Sequence, residues 1–124
     1  MAWYRCTGSG GGGGGQTVTP LIDQNDLIAG KFIQPSNGTE GSTSGFSATP
    51  FIEVNPDEVL TMALPASGNS QNYNCFYDSS QAYISNFTWS NAGYFTITVP
   101  STCHYIRMSS QTANMNKLQV WKGL

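Results

Sequence analysis

The feature that most constrains this chain is a series of short runs in which apolar and polar residues alternate, with turn-forming residues between the runs. In residues 58–64, for example, Leu60, Met62 and Leu64 occupy every second position. Successive side chains of a β-strand point to opposite faces of the sheet, so this alternation predicts strands with one buried face and one face towards water or a partner. About eight strands are predicted on this basis: 31–34, 48–54, 58–64, 73–77, 82–85, 94–99, 104–109 and 118–121.

The chain shows little sign of helix. No segment of roughly ten residues or more keeps a helical apolar period without an interrupting Gly or Pro, and a single turn near residues 23–27 is the best candidate. The Pro, Gly, Asn, Asp and Ser residues between the alternating runs are typical of tight turns. Short strands with frequent turns favour an all-β fold, an antiparallel β-sandwich of the jelly-roll type.

Residues 1–16 differ in composition from the rest. An aromatic and basic head, Trp3, Tyr4 and Arg5, precedes an unbroken glycine run at 10–15. Glycine has no side chain to bury and loses the most backbone entropy on ordering, so we expect an extended arm outside the core. The arm is either a plain linker or an anchor whose aromatic head docks on a partner. The chain thus divides into an anchor or linker, 1–16, and a sandwich domain, 17–124.

Charge and hydropathy exclude several classes of partner. Only 10% of the residues are charged, the net charge is −2 and the five basic residues are scattered, which excludes nucleic-acid binding. No apolar run reaches the ~20 residues that span a bilayer. The N-terminus lacks the apolar stretch of a secretory signal. We therefore expect neither a nucleic acid nor a membrane as partner, and synthesis in a reducing cytoplasm.

The three cysteines match neither a metal-binding spacing nor an even disulfide framework. Cys75 and Cys103 are either free buried thiols or partners that meet across strands. The acidic pair Asp57 and Glu58 could contribute to a calcium site, but no further oxygen ligands accompany it. We therefore expect no metal and no cofactor.

No catalytic constellation is visible. Adjacent strand residues point to opposite faces, so Cys103 and the single histidine, His104, cannot form a dyad. Most acidic residues lie in predicted turns, where capping is their usual role rather than paired acid–base catalysis. The glycine run lacks the Lys-Ser/Thr sequel of a phosphate-binding loop. The sequence predicts a protein that is not an enzyme.

Glycan binding is the better functional hypothesis for the domain. Sugar sites combine exposed aromatic rings, on which the apolar faces of sugars stack, with amides and hydroxyls that bond sugar hydroxyl groups. Trp89, in a turn-like segment, either forms such a platform or folds back over the end of the sandwich. The candidate residues are Tyr73, Tyr83, Trp89 and Tyr94, with Asn91 beside them.

Several segments, taken in order, resemble a carbohydrate-binding-module-like jelly-roll domain of structural proteins from phages that infect Gram-positive bacteria. The segments are 21–33, 44–56, 75–78, 82–85, 95–100, 105–109 and 118–123. The resemblance covers about residues 20–123. Within these segments we expect Asp78 to accept backbone N–H bonds in a turn, and Arg107 to bond loop carbonyls, Asp78 or Glu53. The sequence departs from the family pattern at Trp121, where an acidic residue is usual.

The resemblance implies a virion accessory protein, made in the host bacterial cytoplasm. It would decorate the capsid or accompany the tail, docking on a capsid or tail protein through its N-terminal arm and adhering to cell-surface or mucus glycans. A homo-oligomer is expected, and a trimer is one arrangement that glycine-rich segments allow. The alternative is a purely structural, oligomerising module of the tail or baseplate that binds no glycan.

Overall fold

The computed structural model describes residues 20–64, 73–88 and 93–122 of the chain. The predictions made for Trp3, Tyr4, Arg5, Trp89 and Asn91 fall outside these residues. In chain order the strands are β1 (Ile28–Ile33), β2 (Glu40–Ala48), β3 (Ile52–Glu53), β4 (Val59–Leu64), β5 (Asn74–Tyr77), β6 (Tyr83–Phe87), β7 (Gly93–Thr98), β8 (Tyr105–Gln111) and β9 (Gln119–Lys122).

The strands form two antiparallel sheets. The larger sheet has the order β1-β2-β8-β5-β6, with β3 also paired to β8, and the smaller has the order β7-β4-β9. Apolar side chains of both sheets meet in a main core; Leu60, Met62 and Val120 come from the smaller sheet, and Phe76, Ile106 and Met108 from the larger. The predicted all-β antiparallel sandwich is confirmed.

Within the described part of the chain, two helical turns accompany the sheets. A 3-10 turn at Gln24–Asp26 confirms the turn predicted near residues 23–27, and the Asp23 side chain caps it by accepting the Asn25 N–H. A single α-helical turn, Thr112–Met115, links β8 to β9 and buries Met115 in the main core. Neither turn has the length or apolarity that crossing a membrane would require.

A second, smaller core lies on the other side of the larger sheet. Ile33, Ala48, Cys75 and Tyr77 are buried there, with Phe51, Tyr83 and Tyr105 packed against them. The expectation of one buried and one open face is therefore wrong for β8. Both Ile106 on one face and Ser109 on the other have no exposed surface, because β8 is central in the sheet and covered on both sides.

Strand β2 was not predicted from the sequence. Its Gly, Ser and Thr residues give no alternating apolar pattern, yet it pairs with both β1 and β8. Gly41 lets the ring of Phe32 lie against the strand, since a Cβ at this position would stand 2.5 Å from the ring. Tertiary packing, not local pattern, makes β2 a strand.

The strand predicted at 48–54 is interrupted. β2 ends at Ala48 and β3 begins at Ile52, because Pro50 has no N–H to continue a ladder. Thr49, in the gap between the two strands, hydrogen-bonds to β8 instead. Its N–H donates to the Met108 carbonyl (2.8 Å), and its hydroxyl accepts the Met108 N–H (3.0 Å).

Candidate functional site

The glycan-binding candidates that the structure describes do not form one group. Tyr94 lies on β7 of the smaller sheet and is 72% exposed. Tyr73 directly precedes β5, and Tyr83 begins β6, both in the larger sheet. The structure therefore separates Tyr94 from the other two described candidates.

Tyr83 supports a turn. Its hydroxyl donates to the Pro35 carbonyl at 2.7 Å, and its ring packs on the second core. Gly38 in the same turn has a positive φ of 74° and sits against the Tyr83 ring, where a Cβ would come within 2.8 Å. These contacts hold residues 34–39 over the larger sheet, which is a structural role.

Tyr73 belongs to a cluster of three half-buried rings. It meets Phe32 and Phe46 edge to face, with ring centroids 5.9 and 5.5 Å apart. Such edge-to-face pairs stabilise packing. The Tyr73 ring thus packs against these two rings and does not form an open platform for a sugar.

Tyr94 stands on the side of the smaller sheet that faces away from the main core, which we call the outer face. Leu60 and Met62 of β4 point into the core, so the intervening residues point outward, and the same parity holds on β7 and β9. The outer face consists of Val59, Thr61 and Ala63 from β4, Tyr94, Thr96 and Thr98 from β7, and Gln119 and Trp121 from β9.

The strand register arranges these side chains in rows. Tyr94, Ala63 and Gln119 are direct cross-strand neighbours and form the first row; Thr96, Thr61 and Trp121 form the second. Directly opposite side chains lie about 5 Å apart and contact one another. The rows are unevenly exposed: Tyr94 and Thr96 are exposed, Gln119 and Trp121 are half-buried, and Thr61 is buried.

The side chains of the outer face are all uncharged. Two aromatic side chains accompany threonine hydroxyls and the Gln119 amide. The Gln119 Oε1 is buried and has no hydrogen-bond partner among the residues that the structure describes. Ring surfaces beside uncharged donors and acceptors suit a polar, neutral ligand with apolar faces.

Trp121, Gln119 and Thr96 were not among the predicted site residues. A signal for the first two was present, since buried Leu118 and Val120 alternate with Gln119 and Trp121 along β9. That alternation places Trp121 on the outer face. The sequence contains no signal that brings β9 next to β4, so the neighbourhood of Trp121 and Tyr94 is visible only in the folded chain.

Arg107 lies on the second-core side of the larger sheet. Its Nε donates to the Thr49 carbonyl at 2.9 Å, and its Nη2 donates to Glu40 Oε2 at 3.0 Å. The expected bond to a loop carbonyl is confirmed. The acidic partner is Glu40, and the alternatives Asp78 and Glu53 were wrong, because β2, which carries Glu40, was not foreseen as a neighbour of β8.

Cys75 and Cys103 are free and buried in different cores, so the alternative of a disulfide between them is wrong. Burial raises the pKa of the Cys75 thiol to about 11, and burial also raises the pKa of Cys103. The thiolate is the reactive form, so neither thiol is a ready nucleophile at neutral pH.

Glu58 and Asp78 serve turns. Glu58 Oε1 accepts the Asn55 N–H at 2.9 Å. Asp78 accepts the N–H groups of Ala82 and Ser80 and the Ser80 hydroxyl, which lowers the pKa of its carboxyl and confirms the predicted turn. Within residues 20–64, 73–88 and 93–122, no three His, Cys, Asp or Glu side chains come together as metal ligands would.

No family model and no solved structure matches the chain. A curated relative, the pheromone-processing carboxypeptidase KEX1 of Podospora anserina, is 28% identical over 89 residues, which cover 65% of this chain and 15% of the relative. The chain thus spans about one seventh of the length of the curated protein it matches, and the similarity does not assign it to a family.

Proposed function

We propose that this protein is a non-enzymatic accessory module of a phage virion, whose sandwich binds glycans through the outer face of its smaller sheet. The observation that carries the glycan-binding part is the position of Tyr94, 72% exposed on the smaller sheet beside uncharged hydrogen-bonding side chains. An exposed ring of this size contributes nothing to the core of its own domain. It is well suited to stack on the apolar face of a sugar.

The size of the outer face supports a glycan over a protein partner. Strands lie about 4.8 Å apart with about 3.3 Å per residue, so a three-stranded face as long as β4 covers on the order of 300 Å². A stable protein–protein interface buries about 800 Å² on each partner. The outer face alone is therefore too small for a stable protein complex, whereas its exposed part around Tyr94 and Thr96 can contact a short stretch of sugar chain.

The virion context rests on the sequence resemblance, and docking through Trp3, Tyr4 and Arg5 is part of the same proposal. The absence of enzyme activity is supported by the roles of the reactive groups. The carboxylates of Glu58 and Asp78 are engaged in turns, and burial disfavours ionisation of both core thiols.

The second candidate, an oligomerising structural module without glycan binding, is favoured by one observation. Val59, on the same face, is 43% exposed and apolar. Copies that met through this face would cover both Val59 and Tyr94. This candidate needs additional contact area from elsewhere on the molecule to reach the size of a stable interface.

The test is retention of the full-length protein on an array of bacterial cell-wall and mucus glycans. We expect Tyr94→Ala to lose about tenfold or more in retention, as expected for the removal of a stacking ring, with an unchanged melting temperature because Tyr94 is outside the core. Tyr94→Phe is the matched control and should keep most of the binding.

Two results would decide against glycan binding. One is a wild-type protein that no glycan retains. The other is a protein that forms concentration-dependent oligomers which Tyr94→Ala dissociates, measured by sedimentation; that result would favour the structural module.

A further inference from the structure

We infer that this chain pairs with a second copy of itself through the free edge of β7, antiparallel and about a two-fold axis at Thr96. Three features of β7 support this pairing: the backbone groups that it leaves unpaired, the lack of any edge protection, and the complementarity of its residues to a second copy of the same strand. The pairing is independent of the glycan binding proposed above.

β7 is an edge strand of the smaller sheet and bonds to β4 on one side. Just beyond β7, the Val99 N–H donates to the Glu58 carbonyl at 2.8 Å, so Val99 directs its backbone groups towards β4. In an antiparallel ladder, alternate residues direct their N–H and carbonyl groups to opposite sides, and the register of β7 on β4 is unbroken. The backbone groups of Tyr94, Thr96 and Thr98 therefore point away from β4.

These outward backbone groups are available to another strand. Among the described residues, none forms a backbone hydrogen bond with Tyr94, Thr96 or Thr98 on the side away from β4. All three residues are exposed. A row of unpaired N–H and carbonyl groups on an exposed edge is a template for the addition of a strand.

β7 lacks the features that usually prevent such addition. Proteins protect sheet edges with charged side chains, proline, bulges or a covering segment. The six residues of β7, 93–98, include no charged residue and no proline, and their pairing with β4 shows no bulge. Aromatic and β-branched residues, which favour extended strands, make up most of its sequence. β7 thus presents a regular and uncharged edge.

The other edge strands in the described part of the chain are protected. β1 carries Lys31, and its pairing with β2 is irregular beside this residue. β6 has an extra residue, Ile84, in its pairing with β5, and such a bulge twists an edge. At β9, the Leu21 N–H donates to the Val120 carbonyl at 2.7 Å, so a neighbouring segment bonds to this strand. The comparison singles out β7.

The residues of β7 are complementary to a second copy of the strand. When Thr96 lies opposite Thr96 of the second copy, Tyr94 lies opposite Thr98 of that copy. Each of these pairs joins residues whose free backbone groups face one another, so each can exchange two hydrogen bonds. The side chains then form ring-to-threonine and threonine-to-threonine pairs, both of which stabilise sheets, and no like charges meet. A two-fold axis satisfies all of these contacts at once.

The length of the edge sets the strength of the pairing. Six residues extend about 20 Å, and a contact of that length and about 10 Å deep covers on the order of 200 Å² on each copy. A stable interface buries about 800 Å² on each partner. We therefore expect a weak dimer that forms as the concentration rises. Edge pairing leaves the outer face uncovered, so the dimer has two copies of Tyr94 on one continuous sheet.

The first experiment is sedimentation of the full-length chain from low micromolar to nearly millimolar concentration. We expect a reversible monomer–dimer equilibrium. Thr96→Lys places two ammonium groups opposite each other at the axis and should weaken dimerisation about tenfold or more. Thr98→Lys, on the same edge, places its charge opposite Tyr94 and is the matched control, which should dimerise nearly as the wild type does. Both positions are exposed, so both variants should keep the wild-type melting temperature.

A mixing experiment tests the register. Thr96→Lys and Thr96→Glu should each stay largely monomeric, whereas an equimolar mixture should form mixed dimers, because opposite charges then meet at the axis. High salt should reduce this gain. A mixture of Thr98→Lys and Thr98→Glu should show no such gain, since these positions do not face each other.

Hydrogen exchange of the wild type reports the same contact without any substitution. The amides of Tyr94, Thr96 and Thr98 should exchange more slowly at high than at low protein concentration. The Ile97 amide, which by the same alternation points towards β4, is the internal control and should not change.

Several outcomes would overturn the edge pairing. They are a chain that stays monomeric at every concentration, Thr96→Lys that dimerises as the wild type does, a mixture that gains nothing over its separate components, and exchange of the three amides that does not depend on concentration. Tyr94→Ala separates this pairing from the proposed function. It keeps every backbone bond of the edge and should leave most of the dimer in place while glycan retention is lost. Oligomers that Tyr94→Ala dissociates and Thr96→Lys leaves intact would show contact through the outer face instead.

Discussion

Arg107 shows, at the scale of the residue, how this fold accommodates a buried charge. The side chain is 7% exposed and is held by the Thr49 carbonyl, the Glu40 carboxylate and the ring of Phe51, whose centroid lies 4.9 Å from the guanidinium carbon. A planar guanidinium can make all three contacts at once, which a lysine ammonium cannot. The residue joins β2 and β8 to the loop between β2 and β3.

Cys75 predicts a pH dependence of stability. Its pKa is raised to about 11 in the folded chain by burial, whereas a thiol in an unfolded chain titrates near about 8.5. Between these values the unfolded chain releases a proton that the folded chain keeps. The Cys75 contribution to the free energy of unfolding should therefore be constant below about pH 8.5 and fall as the pH rises towards 11.

The measurement is denaturant unfolding at several alkaline pH values under reducing conditions. Cys75→Val removes the thiol and should show a smaller decline. Part of the decline should remain, because burial also raises the pKa of Cys103 and Tyr77. An equal decline in wild type and variant would rule out Cys75 as its source.

At the scale of the element, β8 organises the larger sheet. It pairs with β2, β3 and β5, and contributes Ile106 and Met108 to the main core while its other face is covered by the second core. Ser109, on this second face, accepts the Ile33 N–H at 2.8 Å and donates to the Tyr73 carbonyl at 2.7 Å. One buried hydroxyl thus connects β1 to the start of β5.

Ser109→Ala should lower the free energy of unfolding by about 1–3 kcal/mol, because the Ile33 N–H would be left buried without an acceptor. Denaturant unfolding monitored by fluorescence measures the change. Ser44→Ala, at an exposed position of β2, is the control and should stay within about 0.5 kcal/mol of the wild type. A neutral result for Ser109→Ala would mean that water or a backbone shift replaces the hydroxyl.

Elements with alternating residues were predictable and β2 was not. The strands at 58–64 and 94–99 were expected within a residue or two of their observed bounds, because Leu60, Met62 and Val99 mark a buried face locally. β2 lacks such a marker, since its burial is decided by Phe32, Phe46 and the neighbouring strands. The expectation of one open face on β8 was wrong for the same reason, because neighbouring elements decide its burial too.

At the scale of the whole molecule, the sequence predicts that residues 1–16 lie outside the core, because the glycine run at 10–15 has no side chains to bury. On this prediction we expect a chain lacking residues 1–16 to unfold cooperatively with nearly unchanged melting temperature, measured by calorimetry. Loss of cooperative unfolding would show that the arm is part of the folded domain.

The same deletion tests the proposed anchor. The chain that lacks residues 1–16 should no longer accompany purified phage particles, as quantified by mass spectrometry. A second variant, with Trp3, Tyr4 and Arg5 all replaced by Ala, keeps the glycine run and separates docking from linking. If this variant occupies particles normally, the aromatic head is not the docking element; if the deletion also does, the arm is not an anchor.

Two kinds of information therefore specify this protein. Alternation and turn residues, which act over a few positions, determined that the chain is an all-β sandwich and where most of its strands lie, because burial of one strand face is a local pattern. Only the tertiary structure decided that β4 lies between β7 and β9 and that a second core covers β8. Strand partners and register depend on contacts between residues far apart in the chain, and the pairing of Thr61 with both Thr96 and Trp121 is such a contact.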